Sequence, residues 1–122
     1  MFEYKVQDIV KIYDGDTITV NIDLGFNIVT KRTFRLWGID TPEVRGEERE
    51  DGLVARDWLR QRLYLAYETD KTITIKTIKD KKGKYGRWLG IVYIDDININ
   101  EQLMFEGFAI PYMRGKKWEV LN

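Results

Sequence analysis

The 122-residue sequence contains neither cysteine nor histidine. The first absence excludes disulfide scaffolds, thiolate zinc sites and cysteine nucleophiles. The second removes serine-type triads, imidazole-ligated zinc and every imidazole acid or base, so chemistry falls to carboxylates, arginine, lysine, tyrosine and a metal ion. Proline occurs only twice, and no Pro-rich or Gly/Ser-rich tract divides the chain. Residues 1–122 are therefore expected to form a single domain. No apolar run is long enough to span a bilayer, and no membrane partner is expected. Net charge is lacking too, because 20 Lys plus Arg offset 20 Asp plus Glu, so global charge points to no particular partner. The N-terminus, Met-Phe-Glu-Tyr-Lys-Val, lacks the basic start and apolar stretch of a signal peptide. The expectation is a cytoplasmic protein, or a secreted one whose leader has already been removed.

The residues present, 43% hydrophobic and 33% charged, suit a globular fold in water. Charge is uneven along the chain: residues 43–51 sum to −3 and residues 79–87 to +4. Taken alone, both read as solvated loops. Ile18, Val20, Ile22 and Leu24 alternate with polar residues and predict a half-buried strand, and Phe2, Tyr4 and Val6 start an earlier one that slips near Ile9–Ile12, the mark of a bulge. A third strand is expected from about Ile28 to Trp37, with Phe34 and Leu36 on one face and Arg35 on the other. From Gly52 to about Glu68 the period becomes helical: Leu53, Leu59, Leu63 and Ala66 form a stripe that Val54, Trp58 and Leu65 widen. Two strands, about Thr72–Lys79 and Trp88–Ile94, make a hairpin around a basic turn. Asn98 and Glu101 have capping-box spacing for a short helix that stops at Gly107, and Ala109–Tyr112 reads as extended. Five strands with a helix between the third and fourth predict an α+β chain built on a small closed barrel.

Three segments carry candidate chemistry. Asp14-Gly15-Asp16-Thr17 joins the first two strands; it is not an EF-hand loop, because the Gly and Glu positions of that motif hold Thr19 and Gly25. Arg35-Leu36-Trp37-Gly38-Ile39-Asp40-Thr41-Pro42-Glu43 leaves the third strand with two carboxylates and a backbone carbonyl beside a rigid proline. Oxygen donors of this kind suit a hard cation such as calcium or magnesium. Lys84-Tyr85-Gly86-Arg87 forms the basic turn. Arginines beside a cation are what a phosphodiester needs in its transition state, while a carboxylate handles the attacking water.

With these three motifs in this order, the chain resembles the staphylococcal nuclease family, the thermonucleases, over nearly its whole length up to about Tyr112. The resemblance implies a five-stranded OB-fold barrel with helices, here one long and one short; the C-terminal helix common in the family is expected to be shortened or absent, a departure from the pattern, because only four residues follow Trp118. It also implies a calcium-dependent endonuclease acting on DNA and RNA, single strands favoured, and leaving 3′-phosphate ends. By motif, Asp16, Asp40 and the Thr41 carbonyl correspond to the calcium ligands, and Glu43 to the residue that positions or deprotonates water. Arg35 and Arg87 correspond to the phosphate clamps, Lys84 and Tyr85 to backbone contacts, and Tyr112 either to a substrate-stacking residue or to a core residue. Asp14 is expected to support the turn without touching the cation. Gly83 stands where the family usually has an acidic residue, and Tyr112 where related nucleases present two tyrosines.

A monomer is expected. The alternative function is a catalytically silent OB-fold that binds single strands or a protein. The joint presence of Asp16, Arg35, Asp40, Glu43 and Arg87 favours the enzyme. A carboxylate-pair glycosidase would leave both arginines without a role.

Overall fold

Alternating apolar residues set the barrel strands, and the computed structural model describes residues 2–82 and 87–112. Strand β1 (Phe2–Asp14) is one continuous strand with register shifts at Val6/Asp8, Ile9/Lys11 and Ile12/Asp14. The expected slip is there, together with two more. Bulges increase twist, which lets one strand pair with β2 (Thr17–Asp23) along most of its length and with a second strand at its start. Ile18, Val20 and Ile22 of β2 face inward. In β3 (Val29–Leu36) Phe34 and Leu36 are buried while Arg35 points the other way, as the alternation requires.

After β3 the chain makes a two-residue strand β4 (Ile39–Asp40), a 3-10 turn at Gly46–Glu48 and helix α1 (Arg49–Glu68). The helix begins three residues before the expected Gly52. Part of the acidic stretch is thus its first turn, where Glu50 and Asp51 meet the positive end of the helix dipole. The buried line runs through Gly52, Ala55, Leu59, Leu63 and Ala66, narrower than predicted. Leu53 and Trp58 are half-buried, and Val54 and Leu65 are more than half exposed. A helix lying on a curved barrel touches it along one ridge, so the flanking apolar positions stay in water.

Strands β5 (Ile73–Lys82) and β6 (Trp88–Ile94) form the expected hairpin, with Ile73 opposite Ile94 and Thr77 opposite Gly90. A two-residue β7 (Ile97–Asn98) folds back on β6. Helix α2 (Ile99–Phe105) is capped as predicted, Asn98 Oδ1 accepting the Glu101 N–H at 3.0 Å. The final extended piece, β8 (Ile110–Pro111), pairs with β4.

Closure comes from a parallel pairing of β3 with β6, Phe34 opposite Trp88 and Leu36 opposite Gly90. The circuit is β1-β2-β3-β6-β5 and back to β1, a closed five-stranded OB-fold barrel with two helices. Its interior holds Ile12, Ile18, Val20, Phe34, Leu36 and Ile75, onto which α1 sets Leu59 and Leu63 and α2 sets Leu103. Each such side chain contributes roughly 1.5–3 kcal/mol by leaving water. Among the described residues no helix is long and apolar enough to cross a membrane. Gly83, Lys84, Tyr85 and the expectation about the C-terminal helix lie outside the described residues.

Candidate active site

Three short connections build the site. The first joins β1 to β2 through Gly15 and Asp16, with Asp14 paired to Thr17. Asp14 Oδ1 accepts the Asp16 N–H at 3.0 Å, so the aspartate side chain closes the turn. Gly15 is not among the residues of positive φ, and its missing side chain serves a close approach instead. A Cβ there would lie 2.8 Å from Thr41 Cγ2 and 3.0 Å from Thr41 Oγ1. That proximity lets the Thr41 N–H donate to Asp16 Oδ2 at 3.0 Å.

The second connection leaves β3. The Leu36 N–H donates to the Asp16 carbonyl at 2.7 Å and the Trp37 N–H to the Gly90 carbonyl at 2.8 Å. Asn100 of α2, 2% exposed, accepts the Val92 N–H and donates to the carbonyls of Trp37 and Gly90. It satisfies backbone groups where β3 and β6 part. The β4–β8 pairing then sets Asp40 opposite Ile110, and the Tyr112 N–H donates to the Gly38 carbonyl at 2.9 Å. The third connection is the Pro42–Glu43 turn into the helix; Glu43 is exposed and its N–H donates to Glu48 Oε2 at 3.1 Å.

These turns bring together most of the residues the sequence singled out. Arg35 Nη1 is 2.8 Å from Asp16 Oδ2, and Nη2 is 3.3 Å from Asp40 Oδ1 and 3.1 Å from the Ile39 carbonyl. The Arg35 guanidinium lies 5.3 Å from the centre of the Tyr112 ring, a cation–π distance. Arg87 Nη1 donates to Thr17 Oγ1 at 3.3 Å, and that hydroxyl donates to Asp16 Oδ1 at 3.2 Å. Asp16, Arg35, Asp40, Thr41, Arg87 and Tyr112 thus form one network, and Glu43 follows two residues after Thr41. Three positions not singled out support the connections around it: Asn100, Glu48, and Gly52, where a Cβ would lie 2.8 Å from the Pro42 carbonyl oxygen. A cleft of about 210 Å³ opens beside them, lined by Asp40, Thr41, Pro42, Glu48, Phe108 and Ile110 among others.

Negative charge exceeds what the arginines neutralise. Burial and the neighbouring Asp16 push the Asp14 carboxyl up to about 7. Burial and Asp16 also raise Asp40, in spite of Arg35. Burial alone would raise Asp16 as well, yet Arg35, Asp14 and the Thr41 N–H outweigh it and hold that carboxyl below its ordinary value. Arg35 in turn is held protonated against its own burial by Asp16 and Asp40.

Residues 33–120 match the family described as staphylococcal nuclease homologue. The chain belongs to this family. Over 109 residues it is 31% identical to the thermonuclease of Staphylococcus hyicus, covering 87% of this chain and 57% of that protein. It is 29% identical over 116 residues to the thermonuclease of Staphylococcus intermedius, with coverages of 91% and 63%. An uncharacterized protein of Methanocaldococcus jannaschii is 30% identical over 142 aligned positions, 98% of this chain and 66% of that one. The chain spans only 57% to 66% of the length of these relatives. In this staphylococcal nuclease homologue the matched region contains Arg35, Asp40, Thr41, Glu43 and Arg87, whereas Asp16 precedes it and is delivered by the β1–β2 turn.

A divalent cation fits the residues present. Among the described residues no three acidic side chains converge as a metal cluster, so the donors would be two carboxylates, Asp16 and Asp40, with the Thr41 carbonyl. Two observations favour a cation there. The Asp14 and Asp40 carboxyls, raised by burial and by the Asp16 charge beside them, are relieved by added positive charge. Thr41 Oγ1 is also buried without a hydrogen-bond partner among the described residues.

Proposed function

We propose that this chain is a calcium-dependent nuclease that hydrolyses phosphodiester bonds of DNA and RNA, single strands preferred, and leaves 3′-phosphate ends. The observation that carries the reading is the network itself: Arg35 touches both Asp16 and Asp40, and Arg87 reaches Asp16 through Thr17. Nothing in a purely structural ion pair calls for two arginines, two carboxylates and a strand-end carbonyl around one turn. Family membership and the thermonucleases among its relatives support a nuclease-type activity.

In the reaction a water oxygen bonds to phosphorus, the bond to the 5′ oxygen breaks, and one proton of the water ends on that leaving oxygen while the phosphate stays on the 3′ oxygen. Arg35 and Arg87 donate paired N–H groups to the non-bridging oxygens, where negative charge grows; each such donor is worth about 3 kcal/mol in the transition state. Glu43, which is exposed, orients the water and accepts its proton. Asp16, Asp40 and the Thr41 carbonyl would hold calcium, which supplies positive charge beside the phosphate. Tyr112 backs the Arg35 guanidinium and offers its ring to a base. By motif, Lys84 and Tyr85 are assigned to contacts with the nucleic-acid backbone.

The test is incubation of denatured DNA with the purified protein in calcium and in chelator. Cleavage confined to calcium, with 3′-phosphate products, is expected. Tight binding of single strands without cleavage in calcium would favour the silent OB-fold instead.

A further inference from the structure

We propose that Glu48 and Gly52, in the first turn of α1 and just before it, are positioning residues for Glu43. The inference rests on the reading of Glu43 as the group that handles water.

The Pro42–Glu43 backbone lies directly on the helix. A Cβ at position 52 would overlap the Glu43 carbonyl oxygen and sit 2.5 Å from its carbonyl carbon and 2.8 Å from the Pro42 carbonyl oxygen. All three are backbone atoms, so no rotamer change relieves the overlap and the peptide itself must move. On the other side of the same residue, the Glu43 N–H donates to Glu48 Oε2 at 3.1 Å. The two groups flanking the Glu43 Cα are therefore both held, one by a hydrogen bond to the 3-10 turn that leads into α1 and one by close packing on the first turn of α1. With N–H and C=O held, the direction in which the Glu43 side chain leaves the backbone is set. Glu43 is exposed, so its own side chain has no packing to fix it and the backbone decides what it can reach.

Glu48 is the N-cap residue of α1, immediately before its first turn, and Gly52 begins the buried line that continues through Ala55, Leu59 and Leu63 into the core. Core packing thus fixes the helix, and the helix fixes Glu43. Glycine inside a helix is otherwise unfavourable relative to alanine, so its presence here is offset by the contact it permits.

The experiment compares Gly52→Ala, Glu48→Ala and Glu48→Gln in the full chain, measuring kcat and KM on denatured DNA, calcium affinity by calorimetry and hydrogen exchange of the Glu43 amide by NMR. A displaced catalytic group costs on the order of tenfold to a hundredfold in rate, so Gly52→Ala and Glu48→Ala are expected to lose kcat on that scale while KM and calcium affinity hold. Glu48→Gln keeps an accepting oxygen and is expected to restore both kcat and the protection of the Glu43 amide. Unchanged kcat and amide protection in Glu48→Ala and Gly52→Ala would overturn the inference. So would equal losses in Glu48→Gln and Glu48→Ala together with weakened calcium binding, which would make Glu48 a charge at the cation site. A wild-type chain that cleaves nothing in calcium defeats the proposed reaction, and the Glu43 amide in the three variants then decides the positioning by itself.

Discussion

Arg35 Nη1 lies 2.8 Å from Asp16 Oδ2, so the arginine assigned to the phosphate is here the counter-ion of a carboxylate assigned to calcium. The same guanidinium also reaches Asp40 at 3.3 Å. A cation held by Asp16 and Asp40 would take over their neutralisation and free Arg35 for the substrate. The two positive charges would therefore compete for one pair of carboxylates.

Removing Arg35 should consequently move turnover and calcium affinity in opposite directions. Arg35→Ala is expected to lose about a hundredfold or more in kcat, the scale for one preorganised donor. Calcium should bind it more tightly than wild type, because a competing positive charge is gone. In chelator the variant should melt lower, since Asp16 is left buried without its partner, and calcium should restore the difference. Calorimetric titration and kinetics on one preparation check this; weaker calcium binding would show that Arg35 holds the site open for the cation.

Calcium should stabilise wild type by mass action, by about 2.7 kcal/mol at a hundred times Kd, and so raise its melting temperature. Asp40→Asn and Asp16→Asn should flatten that response. Scanning calorimetry across a calcium series decides it, and a full shift in both variants would place the cation elsewhere.

What was legible in the sequence divides by length scale. Strand phases at Ile18–Ile22 and Phe34–Leu36 repeat every second residue, so the faces of β2 and β3, and with them the outward Arg35, could be read directly. The capping pair Asn98 and Glu101 is similarly local. The β4–β8 pairing that seats Asp40 has two residues in each strand and joins segments far apart in the chain, so no periodicity marks it. Asn100 in a helix reads as a surface residue; it is buried because β3 and β6 leave backbone groups that only a side-chain amide satisfies. Gly52 looked like a helix start, whereas its role is a backbone contact that only coordinates reveal. Val54 and Leu65 look like core from hydrophobicity alone, and the curvature of the barrel leaves them in water.

The raised Asp14 carboxyl makes a pH prediction. A carboxyl at about 7 in the folded chain and near 3.8 in the unfolded one binds its proton more tightly when folded. Its contribution to stability is then fully present below pH 3.8 and is lost as pH rises through 7. Asp16 is lowered and contributes in the opposite sense, with stability lost as pH falls below the ordinary carboxylate range. Asp14→Asn keeps an oxygen for the Asp16 N–H and removes the charge. In chelator the variant should match wild type near pH 4 and gain a growing melting-temperature advantage up to neutrality. A difference independent of pH would show that Asp14 carries no strained charge.

Gly15 offers the sharpest test of how the two aspartate turns are joined. Gly15→Ala puts a Cβ 2.8 Å from Thr41 Cγ2, and overpacking of this kind typically costs about 1–3 kcal/mol. Because the Thr41 N–H donates to Asp16 Oδ2, a displaced Thr41 also disturbs a carboxylate assigned to calcium, so the variant should lose calcium affinity as well as stability. Thr41→Ser removes the Cγ2 methyl while keeping the backbone N–H and carbonyl. Combining it with Gly15→Ala should therefore recover part of both losses, a coupling that a double-mutant cycle of melting temperature and calcium affinity measures directly. Additive losses would mean that the turn at Gly15 and the strand end at Thr41 respond independently, and that the Asp16–Thr41 hydrogen bond does not depend on their close approach.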